Sequence, residues 1–235
     1  MTLQDMIDDS RRIVFFGGAG VSTESGIPDF RSADGLYNQK YAYPPEQIVS
    51  HSFFMRHTEE FYRFYRDRMI FPDAKPNAAH LKLAELERAG KLSCVITQNI
   101  DGLHQAAGSR NVIELHGSVH RNHCMSCGKK YPLSAVTEST GIPRCSCGGV
   151  IKPDVVLYEE SLDDGDLTRA MTEISEADMM MIGGTSLAVY PAAGLVRFFR
   201  GRHLAVINKS AISADSTAEL VIADAIGKVM SEIRC

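Results

Sequence analysis

Short apolar runs at 13–16, 92–97, 179–182 and 204–207 are separated by stretches of helical period at about 77–88, 167–176 and 191–199. This alternation constrains the fold more than any other feature. Successive strands joined through a helix pair in parallel, because each return crossing takes up the length of a helix. The expected fold class is therefore α/β, with a doubly wound parallel sheet. Pro76-Asn77 opens one of the helices and Gly90 closes it, which makes the boundaries around the 92–97 strand the best defined. A chain of 235 residues, 44% hydrophobic, suits one large domain or a large domain carrying a small insert.

The segment from 119 to 152 breaks the alternation. Cys124-Met125-Ser126-Cys127 and Cys145-Ser146-Cys147 stand there, flanked by Gly128 and by Gly148-Gly149. Each pair offers two thiolates from one tight turn, and four sulfurs at ~2.3 Å complete a tetrahedral zinc with no position left for a substrate. One structural zinc ion is expected on Cys124, Cys127, Cys145 and Cys147. The module that holds it, 119–152, is read as an insert in a larger domain made of 1–118 and 153–235. No signal-like segment precedes the cysteines, so disulfides are not expected and a cytoplasmic location is. Cys94 reads as a buried small hydrophobe and Cys235 as incidental. The 25 Lys and Arg against 29 Asp and Glu leave no basic stripe for nucleic acid, and no apolar run nears the roughly 20 residues of a membrane span. A second irregular stretch, 31–58, is rich in Tyr, Pro and His and reads as a functional lid.

Two further segments carry chemistry. Gly17-Gly18-Ala19-Gly20-Val21-Ser22-Thr23 follows the first strand, where small residues let a phosphate reach backbone N–H groups. Its spacing to Gly26 is not the Gly-x-Gly-x-x-Gly of ordinary dehydrogenases, and no acidic residue stands about 20 positions on to hold a ribose. Gln98-Asn99-Ile100-Asp101 follows the second strand, and Glu114-Leu115-His116-Gly117 comes soon after. Amides, a carboxylate and an imidazole are thus gathered near strand ends.

These segments occur in one order across nearly the whole chain: 18–31, ending Pro28-Asp29-Phe30-Arg31, then Thr97–Asp101, Leu115-His116-Gly117, the four cysteines and Gly184-Thr185-Ser186-Leu187. In this the chain resembles the sirtuin family of NAD-dependent protein deacylases, of the bacterial type. The resemblance implies a Rossmann-like domain, a small zinc domain, and a cleft between them for NAD and an acyl-lysine peptide. It implies deacetylation, with nicotinamide, lysine and O-acetyl-ADP-ribose as products. By the same resemblance His116, titrating near neutral pH, is the general base on a ribose hydroxyl, and Asn99 orders the water and ribose beside it. Phe30 shields the reacting ribose face, and Ile100 with Asp101 holds the nicotinamide carboxamide. Gly18, Ala19, Gly20 and Thr23 fall at the pyrophosphate, with Arg31 and Gln98 nearby. Gly184, Thr185 and Ser186 form the second glycine loop, Asn208 and Lys209 follow the 204–207 strand toward the adenine ribose, and Ala225 closes over adenine. Ser186 reads equally well as a helix N-cap. His80, His104 and His120 lie outside the matching motifs and are expected to be structural or superficial.

The acyl-lysine strand is implied beside Val155, Val156, Leu157 and Tyr158, held by backbone addition. Many relatives carry glycine and an aromatic pair where this chain has Leu157, Tyr158 and Glu159, so a narrower, more acidic rim is expected. In the helical segment 60–69, the register set by Glu60-Phe61-Tyr62 places Tyr65 where desuccinylating relatives have arginine, which favours a neutral acyl group. Tyr65 with Arg68 offers the same Tyr-x-x-Arg spacing one turn on and keeps a carboxylated acyl group open. An ADP-ribosyltransferase using the same pocket also stays open. So does a non-catalytic NAD-sensing module, against which Asn99, Asp101 and His116 argue together. A monomer is favoured.

Overall fold

The computed structural model describes residues 1–30, 35 and 41–235. Six strands form one parallel sheet: β1 (Ile13–Gly17), β2 (Leu92–Thr97), β3 (Val112–Glu114), β7 (Met179–Gly183), β8 (His203–Ile207) and β9 (Leu220–Ile222), in the order β3-β2-β1-β7-β8-β9. The chain builds outward on one side of β1, then returns to build outward on the other. That order is the Rossmann-like arrangement, and its reversal between β1 and β7 opens a crevice at the carboxyl ends of the strands.

Every residue of β1 and β7 is buried, as a sheet covered on both faces requires. Period-two alternation sorts their side chains between two layers. Ile13, Phe15, Met179, Met181, Ala205 and Ile207 face one cluster, packed with Leu83 and Leu86 of helix α5 (Ala78–Arg88) and Met230 of α9 (Ile226–Ser231). Val14, Phe16, Met180, Ile182 and Val206 face the other, with Ala170 and Ile174 of α8 (Asp164–Glu176). Asn77 caps α5 by accepting from the Ala79 N–H at 2.9 Å. Gly90 ends it at φ +75°, with the Lys91 N–H reaching back to the Leu86 carbonyl at 3.0 Å.

The zinc-type cysteines lie in and around a second, antiparallel sheet of β5 (Lys130–Tyr131), β4 (Gly117–Cys124) and β6 (Ile151–Val155). Helices α2 (Pro45–Ile48), α3 (His51–Arg56) and α4 (Thr58–Arg68) share a hydrophobic cluster with it through Val119 and Val155, and with Val136 of the short helix Ser134–Thr137.

The structure departs from the sequence reading in several places. Of the stretch read as an irregular lid, 31–34 and 36–40 lie outside the described residues, and the remainder holds two helices, α2 and α3. These are one and two turns long, too short for a 3.6 period to show. Residues 192–198 form a 3-10 helix instead of an α-helix, with Gly194 weakening any α-helical preference. β3 and β9, three residues each, carry too little pattern to be seen in sequence.

Candidate NAD cleft and zinc centre

Because Gly17 of β1 pairs with Gly183 of β7, the loops leaving these two strands meet at the crevice. The Gly20 N–H donates to the Gly184 carbonyl at 2.8 Å. A Cβ on Gly20 would stand 2.8 Å from Gly184 Cα, and one on Gly18 would stand 2.9 Å from Thr185 Cβ. These glycines, read from sequence as room for a phosphate, are thus demanded first by loop-to-loop contact.

β2 delivers Gln98 and Asn99 to the same edge. The Gln98 side chain donates to Thr185 Oγ1 at 3.0 Å, tying the β2 and β7 loops together. Asn99 is buried; its Nδ2 donates to Ser22 Oγ at 3.0 Å, and Ser22 Oγ in turn donates to Asp101 Oδ2 at 2.7 Å. Asp101 Oδ1 accepts from the Leu103 N–H at 2.9 Å. A relay of three side chains therefore spans two loops and orients both the amide and the carboxylate. Ser22 is the member that motif reading passed over; its place inside the first glycine-rich run was the available signal.

His116 stands between β3 and β4, its Nδ1 3.0 Å from the Gln98 carbonyl. A carbonyl oxygen only accepts, so Nδ1 carries the proton and Nε2 keeps a lone pair. Burial pushes the His116 pKa below the ordinary imidazole value, partly offset by that hydrogen bond, so at neutral pH the ring is an uncharged acceptor. Gly117 follows in the left-handed region at φ +74°.

These groups line one cleft of about 1120 Å³. It gathers Gly18, Ala19, Gly20, Thr23, Phe30, Gln98, Asn99, Ile100, Asp101, His116, Gly184, Thr185, Ser186, Asn208 and Lys209, together with Val156, Leu157 and Tyr158. Ala225 is not on its wall, although its neighbours Asp224 and Ile226 are. Arg31 lies outside the described residues. Ser186 is no helix N-cap: the next helical residues begin at Ala192, capped by Pro191. The cleft fits a dinucleotide, since its volume suits a large ligand, two glycine loops line one part and amide, carboxylate and imidazole groups line another.

Along Val156–Tyr158, three N–H groups are already engaged. That of Val156 donates to the His116 carbonyl and that of Tyr158 to the Val49 carbonyl, each at 3.0 Å, while Leu157 donates to Glu160 Oε2 at 2.9 Å. Backbone addition there is narrowed to carbonyl acceptors, of which those of Leu157 and Tyr158 already accept from the Glu160 and His51 N–H groups at 3.0 and 2.9 Å. Both acidic groups at this rim are already engaged. Glu159 accepts from the Ser52 N–H at 2.8 Å, capping the start of α3, and Glu160 meets Lys152 Nζ at 3.1 Å and His51 Nδ1 at 2.8 Å.

The remaining histidines behave as expected. His80 and His104 are buried, their rings 4.7 Å apart in a T-shaped contact, and burial lowers their pKa values to about 4 and about 3. His120 is exposed and donates through Nε2 to the Asp101 carbonyl at 3.0 Å. Burial drives the Cys94 thiol up to about 12, leaving it an inert core residue.

Sγ atoms of Cys124, Cys127, Cys145 and Cys147 all lie within 4.8 Å of one another, with Cys124–Cys147 at 3.5 Å and Cys127–Cys145 at 3.6 Å. Four sulfurs at ~2.3 Å around a tetrahedral ion would be separated by about 3.8 Å, so this cluster fits zinc. Its four ligands leave no open position, which makes the ion structural.

The comparisons with known proteins agree with this geometry. The Sir2 family model matches residues 18–191. The chain is 60% identical to an NAD-dependent protein deacetylase of Clostridium acetobutylicum, over 98% of this chain and 96% of that protein. A solved Sir2–p53 peptide–NAD+ complex superposes with a TM-score of 0.85 at 41% identity, covering 98% of this chain and 96% of that one. A solved Sir2 variant with deacetylated p53 peptide and 3'-O-acetyl-ADP-ribose gives 0.88 at 42% identity, covering 97% and 94%. With its Rossmann-like sheet, its cysteine cluster and its two glycine loops in register, the chain belongs to the Sir2 family, the sirtuins.

Proposed function

We propose that the chain is an NAD-dependent protein-lysine deacetylase that releases nicotinamide, deacetylated lysine and O-acetyl-ADP-ribose. The observation that carries this reading is the neutral His116 on the cleft wall, its Nδ1 proton held by the Gln98 carbonyl and its Nε2 free to accept. NAD, when bound, supplies the ribose carbon that becomes electrophilic as nicotinamide departs. His116 Nε2 would accept the proton of a ribose hydroxyl held against it, as a general base. Asn99, Ser22 and Asp101 hold the adjoining polar groups in one orientation before substrate enters, so little ordering remains to be done at the moment of reaction. Phe30 shields the reacting ribose face, and Ile100 with Asp101 holds the nicotinamide carboxamide. The glycine loops, with Ala19, Thr23, Gln98, Thr185, Ser186, Asn208 and Lys209, hold the rest of the dinucleotide, and Arg31 and Ala225 belong to the same set by resemblance. The acyl-lysine peptide lies along Val156, Leu157 and Tyr158.

The antiparallel sheet around the cysteines supports the division into 1–118 with 153–235 and an inserted zinc module, 119–152, against which α2–α4 pack, with Phe61, Tyr65 and Arg68 of α4 lining the cleft. Among the described residues no helix is long and apolar enough to cross a membrane. Four cysteines gathered for metal instead of paired as disulfides support a cytoplasmic location. We take the working unit to be a monomer. The test is incubation of an acetyl-lysine peptide with the protein, with and without NAD. Nicotinamide and deacetylated peptide should appear in equal amounts and only with NAD. Nicotinamide release that needs no acyl-lysine would instead indicate ADP-ribosyl transfer to another acceptor.

A further inference from the structure

Segment 155–160 lines the cleft beside His116, and one buried ion pair grips it at two points. Lys152 is only 8% exposed, and its Nζ meets the Glu160 carboxylate at 3.1 Å. The same ammonium donates to the Val155 carbonyl at 3.2 Å and to the Pro153 carbonyl at 3.3 Å. Glu160 accepts from the Leu157 N–H at 2.9 Å and meets His51 Nδ1 at 2.8 Å. The pair thus holds the backbone on either side of Val156, whose own N–H is bonded to the His116 carbonyl. Between Leu157 and Glu160 the chain turns through Glu159 at φ +76°, closed by the Glu160 N–H on the Leu157 carbonyl at 3.0 Å. A side chain persists in that left-handed region only where its surroundings over-determine it. Among the described residues, no hydrogen bond of the Lys152 or Glu160 side chain reaches the glycine loops or 98–101.

We propose that Lys152 and Glu160 are positioning residues for deacylation: their ion pair fixes 155–158 in the conformation that presents the acyl-lysine peptide to His116, and leaves NAD binding alone. The inference rests on the deacylase reading above and on the place given there to the peptide, along Val156–Tyr158. Stability does not account for the pair. Desolvating two charges offsets most of their attraction, so apolar residues of similar volume often serve a fold equally well, whereas removing one partner strands a buried charge. Direction is what the charges add. An ammonium offers three donors and a carboxylate two accepting oxygens, which lets one pair hold a carbonyl before Val156 and an N–H after it at the same time. Without these grips the segment must be ordered as the peptide binds, which weakens peptide affinity.

The experiment compares Lys152→Met, Glu160→Met, the double variant and Glu160→Gln with the wild type, at a temperature where all are folded. Tm, the Kd of NAD by calorimetry, and kcat and KM on an acetyl-lysine peptide are read for each. Either single Met variant should lower Tm, and the double variant, with no stranded charge, should recover most of that loss. Its kcat/KM should still stand about 10²-fold below wild type, chiefly through the peptide KM, with the Kd of NAD unchanged. Glu160→Gln keeps an oxygen for the Leu157 N–H and should lose less peptide affinity than Glu160→Met. If a Met variant does not fold, Glu160→Gln carries the test alone, with a raised peptide KM and an unchanged Kd of NAD expected. A wild-type peptide KM in the double variant, or in Glu160→Gln tested alone, overturns the proposal while leaving deacetylation in place. So does a peptide KM that rises only in step with the Kd of NAD or the loss of Tm, the mark of a scaffold role. Equal losses in Glu160→Gln and Glu160→Met overturn it too, because the grip on Leu157 would then order nothing. Absence of NAD-dependent turnover by the wild type overturns the deacylase reading, and this proposal falls with it.

Discussion

Gly117 joins His116 to the small sheet, and replacing it with alanine should disturb both stability and catalysis. At φ +74° an alanine pays the left-handed penalty of about 1–2 kcal/mol. Its Cβ would also stand 1.8 Å from the Asp154 carbonyl oxygen, a separation no side chain tolerates, so β6 must move away from β4 where Gly117 pairs with Val155. Accommodating such an overlap costs about 1–3 kcal/mol more, for a total of about 2–5 kcal/mol. In a chain of this size each kcal/mol lowers Tm by about 2–4 °C, so a fall of about 4–20 °C is expected. The control is Gly90→Ala, at φ +75° with nothing within 4 Å of its Cβ, which isolates the backbone penalty at about 1–2 kcal/mol. Calorimetry of the two variants, with deacetylation assayed at a temperature where both are folded, separates strain from displacement. Because the Val156 N–H is bonded to the His116 carbonyl, shifting β6 drags the histidine, and kcat/KM should fall by about 10²-fold in Gly117→Ala alone. A Gly117→Ala protein as stable and as active as Gly90→Ala would refute the argument.

Replacing His116 with alanine should lower deacylation roughly 10²–10⁴-fold with the Tm nearly unchanged, and retention of full activity would remove it from the mechanism. Since burial depresses its pKa, the acid limb of kcat/KM in the wild type should fall below the ordinary histidine value, and a midpoint above 6.5 would contradict the neutral ring. His80 and His104 also have depressed pKa values, so their uncharged forms stabilise the fold fully above pH 6.5, and this contribution is lost as the pH falls toward about 4 and about 3. The drop in Tm between pH 7 and pH 5 should therefore be shallower in His104→Phe, and an identical slope would show that these rings are not its source. Metal analysis should find one zinc per chain, and Cys127→Ser should lose metal and Tm together; a metal-free protein of undiminished stability would contradict a structural ion.

Much of this molecule was legible in its residues because the relevant physics is local. A buried parallel strand must be apolar throughout, so β1, β2, β7 and β8 announced themselves. Pro76-Asn77 and Gly90 marked both ends of α5 through backbone conformation alone, and the cysteine pairs declared a metal through donor chemistry and spacing. The order of motifs along the chain was enough to name the family and to single out the two glycine loops, 98–101 and His116, which the structure brings to one cleft. Other features exist only because distant segments meet. Gly18 and Gly20 serve a contact with a loop more than 160 residues away, decided by the Gly17–Gly183 register. Ser22 became the link between Asn99 and Asp101 only when two strand ends were placed side by side. The helical spacing of Tyr62, Tyr65 and Arg68 allowed two registers, and packing alone decided that Tyr62 donates to the Ile151 carbonyl while Tyr65 and Arg68 stand among the residues lining the cleft. Spacing sets which side chains share a face of a helix, but what that face meets depends on the sheet and strands brought against it, and that is tertiary structure.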